Sequence, residues 1–302
     1  MIYTLTLNPS LDLLMSLDEL RTGERNVVKE NRLLAGGKGI NVSLVLHELG
    51  VPSIALGFIA GMSGQEICRQ LDEAGIAHAF TQAGGYNRIN VKLKAEQETE
   101  INGKGLILTP EEIAELIRGL DRMEEGDTLV ISGSMPEDAP EDLADWITGY
   151  IAFRGIRLVC DLHGKDLHRV IYRGPFLIKP NLAELEEFFE HTMSGEEDIL
   201  NHAHILQQMT EGNVLVSLGS TGAVLADESG DVYKEKAPQG ILVNSVGSGD
   251  AMVAGFLHAY DLGYEPKEIL RYAVACGSAC AFTQRFAGKE EIENLYKQIK
   301  RD

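Results

Sequence analysis

The chain has 302 residues, of which 44% are hydrophobic and 24% are charged, a composition typical of a soluble globular protein. Its 46 acidic residues outnumber 27 basic ones, and the net charge of −19 disfavours nucleic acids and anionic membranes as partners. No apolar run reaches the roughly 18 residues of a membrane span. The first residues do not resemble a signal peptide, and the 4 cysteines include no C-x-x-C pair, so we expect a cytoplasmic protein.

Apolar strands and helices alternate along most of the chain. The predicted strands cover residues 2–7, 54–58, 128–132, 157–161, 176–179, 214–218 and 223–226. The predicted helices cover residues 41–49, 64–74, 110–122, 140–154, 182–190, 196–211, 250–262, 266–284 and 289–300. This alternation predicts an α/β fold with a doubly wound, mainly parallel sheet flanked by helices, and we expect one domain over residues 1–302.

Two segments interrupt this alternation. Residues 12–34 are polar and irregular, and residues 88–108 have the pattern of a hairpin. We expect segments of about 12–34 and 86–108 to form a small β-sheet that projects from the domain as a lid. The alternative is a pair of long surface loops, which are uncommon in compact domains.

The N-terminal part of the chain contains two groups of polar residues near predicted strand and helix ends. Asp12 follows the first strand and could accept hydrogen bonds from sugar hydroxyls, or could be an ordinary turn aspartate. Gly37 and Lys38 lie in a glycine-rich segment before the helix predicted at Asn41. Glycines there allow a ligand to approach the backbone, although a tight turn alone would also explain them.

A strand-like segment near residue 90 places polar side chains on one face. Arg88, Asn90 and Lys92 alternate with apolar residues, so all three point to the same side of a strand. Two cations and an amide on so acidic a protein suggest a phosphate clamp. The alternative is the solvated face of an edge strand.

Further polar residues follow later strands. Ser134 could offer a hydroxyl to a substrate. Lys179 is suited to a nucleotide phosphate, and Asn181 with Glu184 to the water shell of Mg²⁺, although these two could equally form a helix capping box. The segment with Ser217, Gly219 and Gly222 leaves room for backbone contact with a nucleotide.

The most informative motif covers residues 247–250. Gly247, Ser248 and Gly249 precede an apolar helix, whose free N–H groups and positive dipole would attract an anion. Asp250 would lie beside that anion, where a carboxylate could accept a proton during phosphoryl transfer. Because the other loops follow apolar strands, we expect all of these residues to meet at one edge of the sheet.

The motif G-G-K-G-x-N at residues 36–41 and the motif G-x-G-D at residues 247–250 resemble the signatures of the ribokinase-like (PfkB) carbohydrate kinase family. The resemblance covers the whole chain. Residues 6–12, 88–92 and 176–181 resemble the 1-phosphofructokinase and tagatose-6-phosphate kinase branch.

The resemblance implies an ATP-dependent kinase with Mg²⁺, in which Asp250 is the catalytic base and the amides of residues 247–250 form an anion hole. The residues implied to hold the sugar phosphate are Asp12, Gly37, Lys38, Asn41, Arg88 and Ser134. The residues implied to serve ATP and Mg²⁺ are Lys179, Asn181, Ser217, Gly219, Gly222 and Gly249, with Glu184 acting on the metal through water. Arg25, in the lid, matches a position that in some relatives reaches a neighbouring subunit's substrate.

The favoured reaction is phosphorylation of fructose 1-phosphate to fructose 1,6-bisphosphate. The alternative acceptor is tagatose 6-phosphate, which would give tagatose 1,6-bisphosphate. A nucleoside kinase is less favoured because the basic face at Arg88 and Lys92 does not suit a neutral nucleoside. A non-catalytic sugar sensor would not need Asp250. Because a projecting sheet has edges to cover, we also expect a homodimer joined through the lids.

Overall fold

The computed structural model describes residues 1–300, which form a large sheet with helices on both faces and a separate small sheet. The strands are β1 (Ile2–Thr6), β2 (Ser10–Ser16), β3 (Glu30–Gly36), β4 (Ser53–Ile59), β5 (Ala77–His78), β6 (Thr81–Gln82), β7 (Arg88–Lys94), β8 (Glu98–Ile101), β9 (Thr128–Ser132), β10 (Arg157–Asp161), β11 (Leu177–Ile178), β12 (Asn213–Ser217), β13 (Ala223–Ala226) and β14 (Val232–Glu235). The helices are α1 (Lys38–Glu48), α2 (Gly61–Glu73), α3 (Pro110–Gly119), α4 (Leu143–Ile151), α5 (Gly164–Val170), α6 (Leu182–Phe189), α7 (Glu196–Thr210), α8 (Ser248–Asp261), α9 (Pro266–Ala281) and α10 (Lys289–Ile299).

The large sheet has the order β14-β13-β12-β11-β10-β9-β1-β4-β5, with β6 also paired to β4. Pairs from β12 to β5 are parallel, whereas β13 pairs antiparallel with both β12 and β14. The central strands are continuous apolar runs because helices cover both faces. The expected doubly wound, mainly parallel sheet is therefore confirmed.

Alternate residues of the central strands enter two different cores. In β9, Leu129 and Ile131 belong to the core shared with α3 to α7, whereas Val130 belongs to the core shared with α1, α8, α9 and α10. The two-residue period of a strand sends neighbouring side chains to opposite faces. Burial on both faces holds the strand ends rigidly, which positions the loops that follow them.

The small sheet has the order β3-β2-β7-β8 and is built from two separate stretches of chain. β2 pairs antiparallel with β3 and parallel with β7, and β7 with β8 forms a hairpin. Leu11 and Ala35 pack against Ile67 and Leu71 of α2, which anchors one end of this sheet to the large domain. The other end extends beyond α2.

Several element boundaries differ from the predictions. The short strands β5, β6 and β14 and the short helix α5 were not predicted, because two to seven residues carry too little periodicity. The helix expected from residue 140 begins at residue 143, the helix expected to end at 284 ends at 281, and α1 and α8 begin earlier than expected. Among residues 1–300, no helix combines the length and apolar character that a membrane span requires.

Candidate active site

A cavity of about 460 Å³ lies between the small sheet and the carboxyl edge of the large sheet. It is bordered by residues that follow β1, β9, β10 and β11 and by the last residue of β12, as expected for a doubly wound fold. Most of the predicted site residues line it. They are Asp12, Gly37, Lys38, Asn41, Arg88, Ser134, Lys179, Asn181, Ser217, Gly247, Gly249 and Asp250.

Two glycine-rich segments of the site do not follow strands of the large sheet, contrary to the expectation that the loops of the site follow such strands. Residues 36–38 enter α1 directly from β3 of the small sheet. Residues 247–250 follow a stretch, residues 236–247, without helix or strand. These segments reach the site because α1 and α8 pack side by side on one face of the large sheet and both begin at the cavity.

The start of α8 borders the cavity with groups that favour an anion. Gly247 caps the helix with φ +83°, and a side chain there would place Cβ 2.8 Å from Cε1 of Phe286, so glycine is required. Within the described residues, the N–H groups of Gly249 and Asp250 donate to no backbone acceptor. These free donors and the helix dipole favour an anion.

Asp250 lies in the first turn of α8 and is only 4% exposed. Burial, together with the negative charge of Asp161, raises the pKa of Asp250 to about 6. The side-chain amide of Asn41 donates a hydrogen bond to Oδ2 of Asp250 at 2.8 Å, which opposes that rise. The carboxylate is therefore held in one orientation and has the basicity of a group that exchanges protons near neutral pH.

Two lysines share one buried carboxylate at the floor of the cavity. Oδ1 of Asp161 lies 3.1 Å from Nζ of Lys38 and 3.5 Å from Nζ of Lys179. Burial opposes ionisation of Asp161, but the two ammonium groups outweigh it and keep the pKa below its ordinary value. Oδ2 of Asp161 has no hydrogen-bond partner in the described part of the chain.

The opposite wall of the cavity is formed by β2 and β7. Oδ1 of Asp12 accepts hydrogen bonds from Ser10 Oγ and Asn90 Nδ2, each at 2.9 Å, and Nζ of Lys92 lies 3.6 Å from Oδ2. Nε of Arg88 donates to the carbonyl of Asn8 at 3.2 Å. The Arg88 guanidinium forms no ion pair with any residue from 1 to 300, and burial lowers its pKa.

Asn181 and Glu184 form the capping box that was the alternative to a metal site. Oδ1 of Asn181 accepts from the N–H of Glu184 at 2.9 Å, and Oε2 of Glu184 accepts from the N–H of Asn181 at 2.8 Å. Asn181 still lines the cavity, whereas Glu184 lies just outside its lining. The role of Glu184 toward a metal stays a prediction.

Four other predicted residues also lie outside the cavity lining. Arg25 is exposed in the connection between β2 and β3. Ser248 points its hydroxyl into a buried position without a partner in the described chain. Gly219 is exposed in a short 3₁₀ turn, and Gly222 has φ +110°, where a Cβ would lie only 2.0 Å from the carbonyl oxygen of Glu235. Gly222 is thus explained by the close approach of β14, and its nucleotide role stays a prediction.

Asn90 and Lys92 also line the cavity beside Arg88, as members of the polar strand face that was predicted to suit a phosphate. Other cavity residues were not predicted as site residues. Asp161 and His163 had a signal in the sequence, because they lie at and after the end of a predicted apolar strand. The remaining unpredicted lining residues are Thr6, Asn8, Ser10, Gly133 and Val246. Nothing in their local sequence distinguishes them from ordinary loop and strand residues.

Comparison with known proteins agrees with the geometry. Residues 5–288 match the family model described as pfkB family carbohydrate kinase. The chain is 37% identical to 1-phosphofructokinase of Bacillus subtilis over 99% of both sequences. It is 33% identical to D-tagatose-1-phosphate kinase of Bacillus licheniformis, over 99% of this chain and 98% of that protein. The structure of Escherichia coli phosphofructokinase-2 in complex with substrates and products superposes with a TM-score of 0.94, at 27% identity and 99% coverage of each chain.

Proposed function

The chain belongs to the pfkB family of carbohydrate kinases, and from this premise we propose that it transfers the γ-phosphoryl group of ATP to a ketohexose phosphate. The favoured acceptor is fructose 1-phosphate and the product is fructose 1,6-bisphosphate. The observation that carries the proposal is the buried Asp250 carboxylate, oriented by Asn41 beside the free N–H groups at the start of α8. The name of the B. subtilis relative supports the choice of acceptor.

In the proposed reaction, the acceptor hydroxyl gives its proton to the Asp250 carboxylate. The hydroxyl oxygen then forms a bond to the γ-phosphorus as the bond to the β-γ bridging oxygen breaks, and ADP leaves. The free N–H groups of Gly249 and Asp250 would stabilise the charge on the transferred group. Lys179 lies close to them, since its Nζ is 3.1 Å from the position of a Cβ on Gly249.

The acceptor would lie between the two sheets. Asp12, Asn41 and Ser134 are suited to its hydroxyl groups, and the backbone at Gly37 with Lys38 would contact its other side. Arg88 is suited to its phosphate, because a half-buried guanidinium without a carboxylate partner is satisfied best by an anion. This feature favours a sugar phosphate over a neutral nucleoside.

The nucleotide would extend from the start of α8 toward β11 and β12. Lys179, Asn181 and Ser217 line this side of the cavity, and Gly219 and Gly222 lie beyond it. The donor set fits a hydrated Mg²⁺, because Oδ2 of Asp161 is buried without a partner in the described chain and Glu184 presents a carboxylate nearby. Bound Mg²⁺ would neutralise charge on the nucleotide phosphates.

The acceptor is tested by comparing kcat/KM for fructose 1-phosphate, fructose 6-phosphate, tagatose 1-phosphate and tagatose 6-phosphate with ATP. Tagatose 6-phosphate is the alternative acceptor. Tagatose 1-phosphate is included because the B. licheniformis relative is named D-tagatose-1-phosphate kinase. We expect fructose 1-phosphate to give the highest value. A higher value for either 6-phosphate would overturn the assigned acceptor, and no ADP release with any of the four would overturn the kinase proposal.

We further propose a homodimer joined through the small sheet. On the face away from the cavity, one apolar residue from each of the four strands lies in register with the next. These residues are Leu33, Leu13, Val91 and Ile101. Leu33 and Ile101 are 39% and 57% exposed in the single chain. An apolar stripe of this kind is typical of a surface that a second subunit covers. Arg25, in the exposed β2–β3 connection, would then reach the partner's acceptor.

A further inference from the structure

A cluster of potential metal ligands lies away from the active site, at the opposite end of α6. His191 follows α6, and Asp198 and His202 lie one turn apart on the same side of α7. α6 spans 8 residues from Asn181 at the cavity, which corresponds to about 12 Å of helix. The cluster is therefore separate from the residues proposed to bind substrates.

The three side chains converge on a small volume. Nε2 of His191 lies 3.0 Å from Oδ2 of Asp198. Nδ1 of His202 lies 2.8 Å from the backbone carbonyl oxygen of Asp198 and 2.9 Å from Oδ1 of its carboxylate. All three ligand atoms lie within 4.8 Å of one another. Tetrahedral zinc with bonds of roughly 2.0–2.1 Å holds its ligand atoms about 3.3 Å apart, so small side-chain rotations would suffice.

Neighbouring groups already hold these side chains in place. Asp198 accepts hydrogen bonds from the backbone N–H and the hydroxyl of Ser194, and these bonds with His191 lower the pKa of Asp198 to about 2. The ring of Phe189 packs edge-on against His202, with centroids 4.8 Å apart. Surroundings that orient ligands in this way are typical of metal sites.

A cation could reach the cluster, and the local charge favours it. The His191 side chain is 48% exposed, whereas Asp198 and His202 are each 19% exposed. The first turn of α7 also contains Glu196 and Glu197, whose charges oppose the positive end of the helix dipole.

We propose that His191, Asp198 and His202 bind a divalent transition-metal ion of the zinc class, with water as a further ligand. Two imidazoles and one carboxylate favour Zn²⁺ over Mg²⁺, which prefers oxygen ligands. The ion would replace the histidine–aspartate hydrogen bonds and tie the connection between α6 and α7 to the helix. Its role would be structural, since the cluster lies outside the catalytic cavity.

The test is calorimetric titration of the nucleotide-free protein with Zn²⁺, in the wild type and in His191→Gln and His202→Gln. Glutamine can still donate a hydrogen bond to Asp198 but replaces a strong ligand. We expect a wild-type Kd in the micromolar range or below, weakened at least tenfold by either substitution. Saturation at about a hundredfold excess over Kd should also raise Tm by roughly 4 °C.

The matched control is His204→Gln on the same helix, because Nε2 of His204 contacts Gln208 and the residue is not part of the cluster. This variant should bind Zn²⁺ like the wild type. Thermal unfolding without metal checks that each variant is folded. A wild-type Kd weaker than about 100 μM, or unchanged binding in both cluster variants, would show that the cluster is only a hydrogen-bonded triad.

Discussion

Asp250 is ionised inside the protein, and the same burial that makes it a suitable base also reduces stability. Its pKa is about 6 in the folded protein, against an ordinary value of 3.8. The folded state therefore binds the proton more tightly than the unfolded chain does, and stability falls as pH rises from about 4 to about 6. Above that range the penalty is constant, on the order of 2–3 kcal/mol.

We predict that Asp250→Asn lowers kcat by roughly 10²–10⁴ and raises the free energy of unfolding by on the order of 2 kcal/mol at about pH 7. Asn41 can still donate to the new amide oxygen, so the local structure should persist. The measurements are steady-state kinetics and urea unfolding. The stability gain should disappear below about pH 4, and near-normal turnover would contradict the assignment of the base.

The pH profile offers a second test at this residue. The value of kcat/KM should fall below about pH 6, as Asp250 becomes protonated in the free enzyme. Asn41→Ala removes a hydrogen bond that lowers the pKa of Asp250, so kcat/KM should begin to fall at a higher pH. Asp161→Asn removes a negative charge that raises the pKa of Asp250, so kcat/KM should begin to fall at a lower pH. If the pH at which kcat/KM falls is unchanged in both variants, this fall does not report the protonation of Asp250.

Arg88 is predicted to recognise the acceptor phosphate. Arg88→Ala should raise KM for the sugar phosphate by about 10- to 100-fold, the effect of losing a hydrogen bond to a charged group, and leave KM for ATP nearly unchanged. Arg154→Ala is the control, since Arg154 pairs with Asp121 away from the cavity. Equal changes in both KM values would argue against a phosphate role.

Among the secondary-structure elements, the first turn of α8 allows a test of close packing. A Cβ on Gly249 would lie 3.1 Å from Nζ of Lys179, so Gly249→Ala should displace that ammonium group. We expect kcat/KM for ATP to fall by roughly 10- to 100-fold without loss of stability, since alanine favours the helix. Activity and urea unfolding measure the two effects.

The matched control for Gly249 is Gly119→Ala in α3, where a Cβ would have no neighbour within 4 Å among residues 1–300. Gly119→Ala should leave activity unchanged. If Gly249→Ala were also fully active, the packing of Lys179 against the start of α8 would not matter for the reaction.

For the whole molecule, the apolar face of the small sheet predicts the oligomeric state. Leu33→Asp places a charge in the stripe and should convert the dimer to a monomer in sedimentation analysis. Phe153→Asp is the control, because Phe153 is 94% exposed but follows α4 on the large domain. A wild-type monomer, or a Leu33→Asp variant that remains dimeric, would contradict this interface. Loss of the dimer should also weaken acceptor binding if Arg25 reaches the partner's site.

The fold class and the family could both be predicted from local patterns in the sequence. The central strands are short, continuous apolar runs, so a strand such as residues 128–132 could be predicted from its own residues. The two motifs at residues 36–41 and 247–250 could also be recognised locally. The free N–H groups at a helix N-terminus belong to consecutive residues, so an anion site at residues 247–250 could also be predicted from the sequence of this segment alone. Both the α/β fold and the PfkB membership are confirmed.

The contacts between residues far apart in the sequence could be seen only in the folded chain. Asp161 lies between Lys38 and Lys179 although 123 residues separate it from Lys38. The sequence could not show whether Asn181 and Glu184 form a capping box; the structure shows that they do, and the role of Glu184 toward a metal stays a prediction. The basicity of Asp250 depends on burial and on the charge of Asp161, which are non-local properties. Local patterns therefore specify which groups are present, whereas their charge and partners follow from packing between segments far apart in the chain.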